Sequence, residues 1–187
     1  MKYYLKLGLI LFIITAIASG VLAYLNTLTQ PIIEENQRIT QEKARKEVLP
    51  SAITFEEVFN EEVIGELTYY IGKDAEGKTV GYTFVASLYG YSSEVQTMVG
   101  VNPKLVIEKI KIVSQAETPG LGANCEKSEF QMQFSGKQQT EMKVDKDGGT
   151  IVSLTGATIT TRTIANSIKT AMDKLDIPTE QAEGGVE

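Results

Sequence analysis

Apolar and polar positions divide this chain into stretches of different rhythm. Residues 7–25 carry no charge and are dominated by Leu, Ile, Ala and Phe. As a helix that run spans roughly 28 Å, enough to cross the hydrocarbon of a bilayer. Further on, Ile32, Asn36, Ile39, Lys43 and Lys46 with Ala44, Val48 and Leu49 give a mostly polar helical pattern that ends before Pro50. Pro31 suits the first turn of a fresh helix, so the spacing predicts a helical stalk over residues 26–50.

Beyond Ser51 the period drops to two. Val80, Tyr82, Phe84, Ala86 and Leu88 alternate with Thr79, Gly81, Thr83 and Ser87, which predicts a strand with one buried and one wet face. Similar runs cover residues 67–71, 95–101 and 105–113, and residues 141–144 lead through DKDGG into 150–154. The turn sequences DAEGK and DKDGG suit hairpins, so most of the sheet is expected to be antiparallel. Two helices are expected, one over residues 126–134 and one over residues 160–175, the second with Ile164, Ile168, Met172 and Leu175 on one stripe. The fold class is therefore α+β: a mostly antiparallel sheet with packed helices, preceded by one transmembrane helix. The expected divisions are 1–6, 7–25 (span), 26–50 (stalk), 51–178 (domain) and an acidic, flexible tail at 179–187.

Length and composition narrow the function. At 187 residues and 42% hydrophobic, the chain can build one domain with a real core plus an appendage. Eighteen basic against twenty-four acidic residues give a net charge of −6, and no basic stripe is available for nucleic acid. Lys109 and Lys111 alternate with Ile110 and Ile112 and read as the wet face of a strand. Histidine is absent and Cys125 is the sole cysteine. That removes zinc and iron–sulfur ligation and every Ser-His or Cys-His catalytic arrangement. No metal site and no catalytic side chain are expected, and Cys125 reads as a small semi-buried residue. The apolar run is too long for a signal peptide, although Ala16, Ala18 and Ala23 are small enough for cleavage, so it reads as an uncleaved anchor in membrane lipid. Lys2 and Lys6 precede it, whereas Glu34 and Glu35 follow before Arg38. The positive-inside rule then puts the start in the cytoplasm and the main domain outside, across the cell (inner) membrane.

Two loops stand out. In TGAT, Thr155 to Thr158, a turn with one glycine opens the second helix, with Thr160 and Thr161 just inside it. A helix start offers unpaired N–H groups and the positive end of its dipole to an anion, and Gly156 and Ala157 let a ligand approach. The same residues also make an ordinary N-cap, which they favour when taken alone. The other loop, AETPGLGAN, leaves a strand end with Pro119–Gly120 for a tight turn and Gly122 for a second reversal. Its Glu117 and exposed Leu121 could wall a pocket for a flat ligand, or the loop could be a plain Pro-Gly turn.

The order NTLTQPIIEEN, GYSSEVQTMVGV, KIKIVSQAETPGLG and LTGATITT behind an anchor resembles the G subunit of the Rnf electron-transport complex. That protein shares its FMN-binding domain with the C subunit of the sodium-pumping NADH:quinone oxidoreductase (Nqr). The resemblance implies covalent FMN, joined through its phosphate by a separate flavin transferase to the last threonine of the motif, here Thr158, with Thr155, Gly156 and Ala157 completing it. It further implies that Glu117, Thr118, Leu121 and Gly122 lie against the flavin, with Tyr91 and Thr160 as neighbours. The family's attachment signature often has an aspartate where this chain has Val152; Asp145 and Asp147 are near but out of register. The implied function is electron relay within a ferredoxin:NAD oxidoreductase complex coupled to sodium or proton transport. Such a chain is an electron-transfer subunit beside other membrane subunits, and no independent enzyme. Two further readings fit the same residues: a stand-alone or Nqr-type flavoprotein carrier, and a membrane-tethered binding domain without cofactor in which TGAT only caps a helix.

Overall fold

The structure, a computed structural model, describes residues 2–58 and 68–175. The expected strand start at Leu67, the domain end at 178 and the acidic tail lie outside them. The chain divides into two units, Met1–Thr40 and Gln41–Glu187.

The first unit is helical. Helix α1 runs over Lys2–Val48, and its apolar part is exposed and long enough to cross a membrane. Thr15, Thr27 and Thr29 return their hydroxyls to the carbonyls of Leu11, Ala23 and Leu25 at 2.9–3.0 Å, so these exposed hydroxyls are satisfied within the helix itself. The expected fresh start at Pro31 does not occur, because Pro31 lies inside α1. An interior proline costs about 3 kcal/mol through its missing N–H and its ring's clash with the preceding turn, and the helix continues on both sides of it all the same.

In the second unit five strands follow one another as an antiparallel meander, β1 (Thr54–Val58), β2 (Tyr69–Lys73), β3 (Thr79–Tyr89), β4 (Glu94–Val101) and β5 (Ile107–Ser114). One face carries Tyr82, Phe84, Ala86, Val99, Val101 and Ile110, all buried. Between β5 and the last helix the chain is irregular. A 3₁₀ turn at Gly122–Glu126 leads into the short helix α2 (Ser128–Gln131) and another 3₁₀ turn at Met132–Phe134, where one regular helix was expected. Phe130 and Phe134 still reach the core, edge to face with centroids 5.5 Å apart. Helix α3 (Thr158–Asp173) then covers the apolar face of the sheet with Ile164, Ile168 and Met172 of the expected stripe, and Leu175, two residues past its end where the helix was expected to continue, is buried in the same core.

Two expectations are corrected by packing. The hairpin over 141–154 is absent: residues 145–147 form a 3₁₀ turn, and only an isolated parallel bridge joins Val144 to Ile151. Within the turn Asp147 N–H bonds to Val144 and Gly148 N–H to Asp145, and across it Asp145 N–H bonds to Ile151 and Ile151 N–H to Lys143, while Val144 and Ile151 sink into one core. The second face of β3 is not wet either. Thr83 is fully buried there, and the last turns of α1, Ala44 and Val48, pack on this face with Val85, Met98 and Val113. Lys109 and Lys111 both pair with Glu47 of α1, at 2.9 and 3.2 Å. Arg45 stacks 3.4 Å above the Tyr70 ring.

A row of glycines lets the helix end come this close. A methyl group on Gly100 would meet the Val48 carbonyl oxygen at 2.4 Å, and one on Gly81 would meet Leu49 at 2.9 Å. A Gly100→Ala chain should therefore lose about 1–3 kcal/mol of stability, since backbone, and not a flexible side chain, must move. Urea unfolding followed by tyrosine fluorescence measures this; an unchanged midpoint would mean the helix end does not lie on Gly100.

Candidate functional site

The loop after β5, the β3–β4 turn and the start of α3 meet around one carboxylate. Glu117 is only 4% exposed, yet its oxygens are fully engaged. Oε1 accepts the backbone N–H groups of Ser92 (2.9 Å) and Ser93 (3.0 Å) and the Ser93 hydroxyl (3.2 Å). Oε2 accepts the Thr160 hydroxyl at 2.6 Å and the Tyr91 N–H at 3.3 Å. Burial alone would raise the carboxyl's pKa, but the donors from Thr160, Ser92, Ser93 and Tyr91 outweigh it and hold it below the ordinary carboxylate value. Glu117 is thus a fixed anion at neutral pH, with a mainly architectural part.

Glycine permits the convergence. A Cβ on Gly122 would stand 2.7 Å from Glu117 Oε2 and 2.8 Å from Thr160 Oγ1. Gly122 therefore supplies space for the carboxylate and opens a 3₁₀ turn, where a second reversal was expected. The Thr118–Leu121 turn is closed by the N–H groups of Leu121 and Ala123, both bonded to the Thr118 carbonyl.

Beside this cluster lies a cavity of about 390 Å³ lined by Tyr91, Glu117, Thr118, Leu121, Gly122, Gly156, Ala157, Thr158, Ile159 and Thr160. Its size is that of a small-molecule site. Of the residues that the resemblance places in the attachment motif or against the flavin, Thr155 alone is not on its wall. That residue lines an adjoining cavity of about 470 Å³ with Val152, Ser153 and Leu154, and Leu121 borders both. Sequence reasoning missed Ile159 and the two serines that hold Glu117. The serines were visible in GYSSEV as small polar residues at a strand start, but their backbone donors leave no trace in side-chain type.

The corner TGATITT resolves into separate jobs. Gly156 has φ +74°, the left-handed conformation that suits glycine. The N-cap position falls on Ala157 and no side chain caps the helix, so the threonine cap favoured by the residues alone is not formed. Thr161 donates its hydroxyl to the Ala157 carbonyl (3.1 Å) and accepts the Leu154 N–H (3.0 Å). Thr160 is committed to Glu117. Thr158 makes no hydrogen bond through its side chain to any described residue, and it lines the cavity. The first intrahelical bond runs from Thr161 N–H to Ala157, so the N–H groups of Thr158, Ile159 and Thr160 have no helical acceptor. Together they form a cradle for an anion.

Val152, where the resemblance leads one to look for an aspartate, is exposed and donates its N–H to Gln133 at 2.8 Å. Cys125 is fully buried behind the loop, and burial first, then the charges of Glu126 and Glu117, push its thiol up to about 12. It is an inert packing residue.

Known proteins share this sequence pattern and fold. The sequence matches the RnfG N-terminal region over residues 2–48 and the FMN-binding domain over residues 90–173. Over 89% of its length it is 39% identical to the G subunit of the Na⁺-translocating ferredoxin:NAD⁺ oxidoreductase complex of Acetobacterium woodii, covering 89% of that protein. The chain belongs to the RnfG family. A second family relative, the G subunit of the proton-translocating ferredoxin:NAD⁺ oxidoreductase complex of Clostridium ljungdahlii, is 31% identical over 87% of this chain and 86% of its own. The fold is shared with the C subunit of the Na⁺-translocating NADH-quinone reductase from Parabacteroides distasonis, with a TM-score of 0.56 over 82% of this chain and 96% of that one at 18% identity. Motif order had pointed to this family, and the α+β class with its antiparallel sheet agrees with the shared fold.

In this family member, Glu117→Gln should cost about 1–3 kcal/mol at pH 7, because an amide cannot accept all the donors that a carboxylate does. A lowered folded-state pKa contributes stability that is present above the unfolded value of about 4.3 and lost as pH falls through the folded value. The gap between wild type and variant should therefore narrow below about pH 4.3. Urea midpoints between about pH 7 and pH 3 give the comparison; a gap that stays constant would mean Glu117 is not the anion described.

Proposed function

We propose that this chain is a single-pass membrane flavoprotein subunit that carries FMN, joined through its phosphate to Thr158, and relays electrons within an Rnf-type complex. The observation that carries the proposal is the hydroxyl of Thr158. Thr158 is the first residue of α3, lines the 390 Å³ cavity, and its hydroxyl is bonded to no described residue, whereas Thr160 and Thr161 are already engaged.

The residues present fit FMN. Unpaired N–H groups of Thr158, Ile159 and Thr160 suit a phosphate, and Leu121, Ile159 and Tyr91 offer exposed apolar surface beside it. Gly156 keeps side-chain bulk away from Leu121, which a Cβ there would approach to 3.0 Å. When bound, FMN supplies the redox chemistry that a chain without histidine and with one inert thiol does not offer. The protein's share is to hold the phosphate, set the walls and keep Glu117 ionised but hydrogen-bonded.

Attachment requires an activated flavin phosphate, such as a flavin dinucleotide, presented by a separate flavin transferase. The Thr158 hydroxyl forms the new O–P bond and gives up its proton. The anhydride P–O bond breaks, and the other phosphate leaves with the electron pair. A phosphodiester keeps one negative charge, which the helix start favours.

The basic residues nearest the span support the topology: Lys2 and Lys6 stand immediately before it, whereas the next basic residue after it is Arg38, so the N-terminus is read as cytoplasmic and the flavin domain as extracytoplasmic. Membrane lipid and the other subunits of the complex are the partners. The two relatives' names specify sodium and protons respectively, so membership fits coupling to either ion.

Co-expression with a flavin transferase followed by peptide mass spectrometry tests the reading. The peptide containing Thr158 should gain the mass of FMN less water, with flavin fluorescence that survives denaturation. Thr158→Ala should abolish both, while Thr155→Ala keeps the adduct. An adduct that persists in Thr158→Ala would show the attachment point to be wrong.

A further inference from the structure

The turn at residues 145–147 grips both flanks of the TGAT segment. Asp145 Oδ1 accepts the N–H of Ser153 at 3.0 Å and its hydroxyl at 2.5 Å, two residues before Thr155. Asp147 receives a bidentate pair from Arg162, Nε at 2.7 Å and Nη2 at 2.8 Å. Arg162 lies four residues after Thr158 in α3, so the two share a helix face one turn apart. The turn is itself fixed: Asp145 N–H bonds to the Ile151 carbonyl (2.8 Å), Gly149 N–H bonds to Val144 (2.9 Å), and Val144 and Ile151 are buried. One hydrogen-bonded turn thus holds both the residues before and the helix after a segment whose Thr155 and Gly156 are exposed.

Exposed ion pairs contribute little to stability, and Asp147 and Arg162 are 35% and 42% exposed. Their geometry has a different consequence. Planar bidentate pairing fixes direction as well as distance, and here it anchors α3 at Arg162, one turn beyond Thr158 on the same helix face. We propose that Asp145 and Asp147, with Arg162, are positioning residues that hold Thr158 in the orientation needed for attack on the flavin phosphate during attachment. This rests on Thr158 as the acceptor. It also gives a part to two carboxylates that do not touch the cavity: they act through Ser153 and Arg162.

The test uses the full chain in detergent, a purified flavin transferase and a flavin dinucleotide. Covalent incorporation is timed at varied acceptor concentration for wild type, Asp147→Asn, Arg162→Ala, Asp145→Asn and the exchanged pair Asp147→Arg/Arg162→Asp. Misplacement of a reacting group by about 1 Å can cost up to roughly 100-fold, so the single variants should lose roughly 10- to 100-fold in kcat with KM nearly unchanged. The exchanged pair should recover most of that loss. In flavin-free protein, amide hydrogen exchange across residues 153–158 should quicken in the single variants while the urea midpoint holds. Wild-type rates in all single variants, a loss that tracks the urea midpoint, or an exchanged pair as slow as Arg162→Ala would each overturn the proposal while leaving Thr158 as acceptor. A wild-type chain that takes up no flavin at Thr158 would overturn the attachment reading, and this proposal with it.

Discussion

A carboxylate withdrawn from water costs several kcal/mol unless donors replace its hydration, and at Glu117 that requirement shapes the whole end of the domain. Its donors come from two places far apart in sequence: the β3–β4 turn at Tyr91, Ser92 and Ser93, and the first turn of α3 at Thr160. Glu117 itself belongs to a third, the loop after β5. Satisfying one anion therefore brings three loops together, and the cavity is the space left beside them. Gly90 and Gly122 are part of the same requirement, since a Cβ on either would lie 2.7 Å from a Glu117 oxygen. The wall residues Leu121 and Ile159 inherit their places from that charge.

A second constraint acts on the opposite face of the sheet. Regular strands present side chains alternately to two faces, and a meander with one helical layer leaves one face open. Here the end of α1 closes it, with Val48 and Leu49 seated over Gly72, Gly81 and Gly100. Glu47 then draws in Lys109 and Lys111, and Arg45 covers Tyr70. The last turns of the long helix are thus part of the folded unit, and strands β3 and β4 are buried on both sides where they cross beneath it.

Periodicity made most of the regular structure legible. Strands β3, β4 and β5 and the stripe of α3 follow directly from where Val, Ile, Tyr and Phe recur. Strand β1, TFEEV, gave no such signal. Its two central glutamates break the alternation, and it is held by partners that pattern cannot show, Glu56 to Lys73 and Glu57 to the Tyr70 hydroxyl. The 141–154 segment failed for the reverse reason. It has strand-like residues and a hairpin-like turn, but the chain comes back past Val144 in a parallel sense, with one isolated bridge to Ile151, so no antiparallel ladder can extend from the turn. Thr83 looked wet because threonine suits either environment. At the site, glycine, proline and threonine in two loops marked the right places, while the backbone donors of Ser92 and Ser93 could be found only in three dimensions.

The four threonines of the corner show why a sequence motif and a physical site are different descriptions. By composition they are equivalent hydroxyls at a helix start. Folding separates them, because each hydroxyl meets a different unmet need. Thr160 neutralises part of the cost of Glu117. Thr161 bridges Leu154 N–H and the Ala157 carbonyl, fixing the turn against the helix. Thr155 falls outside the cavity. What distinguishes Thr158 is that no local need consumes it. An ordinary cap would have spent a hydroxyl on the unpaired N–H groups; leaving the N-cap to Ala157 keeps those donors unspent as well. A helix start without a side-chain cap gives up roughly 1 kcal/mol, a cost that the proposed phosphate would offset by accepting the N–H groups left unpaired there.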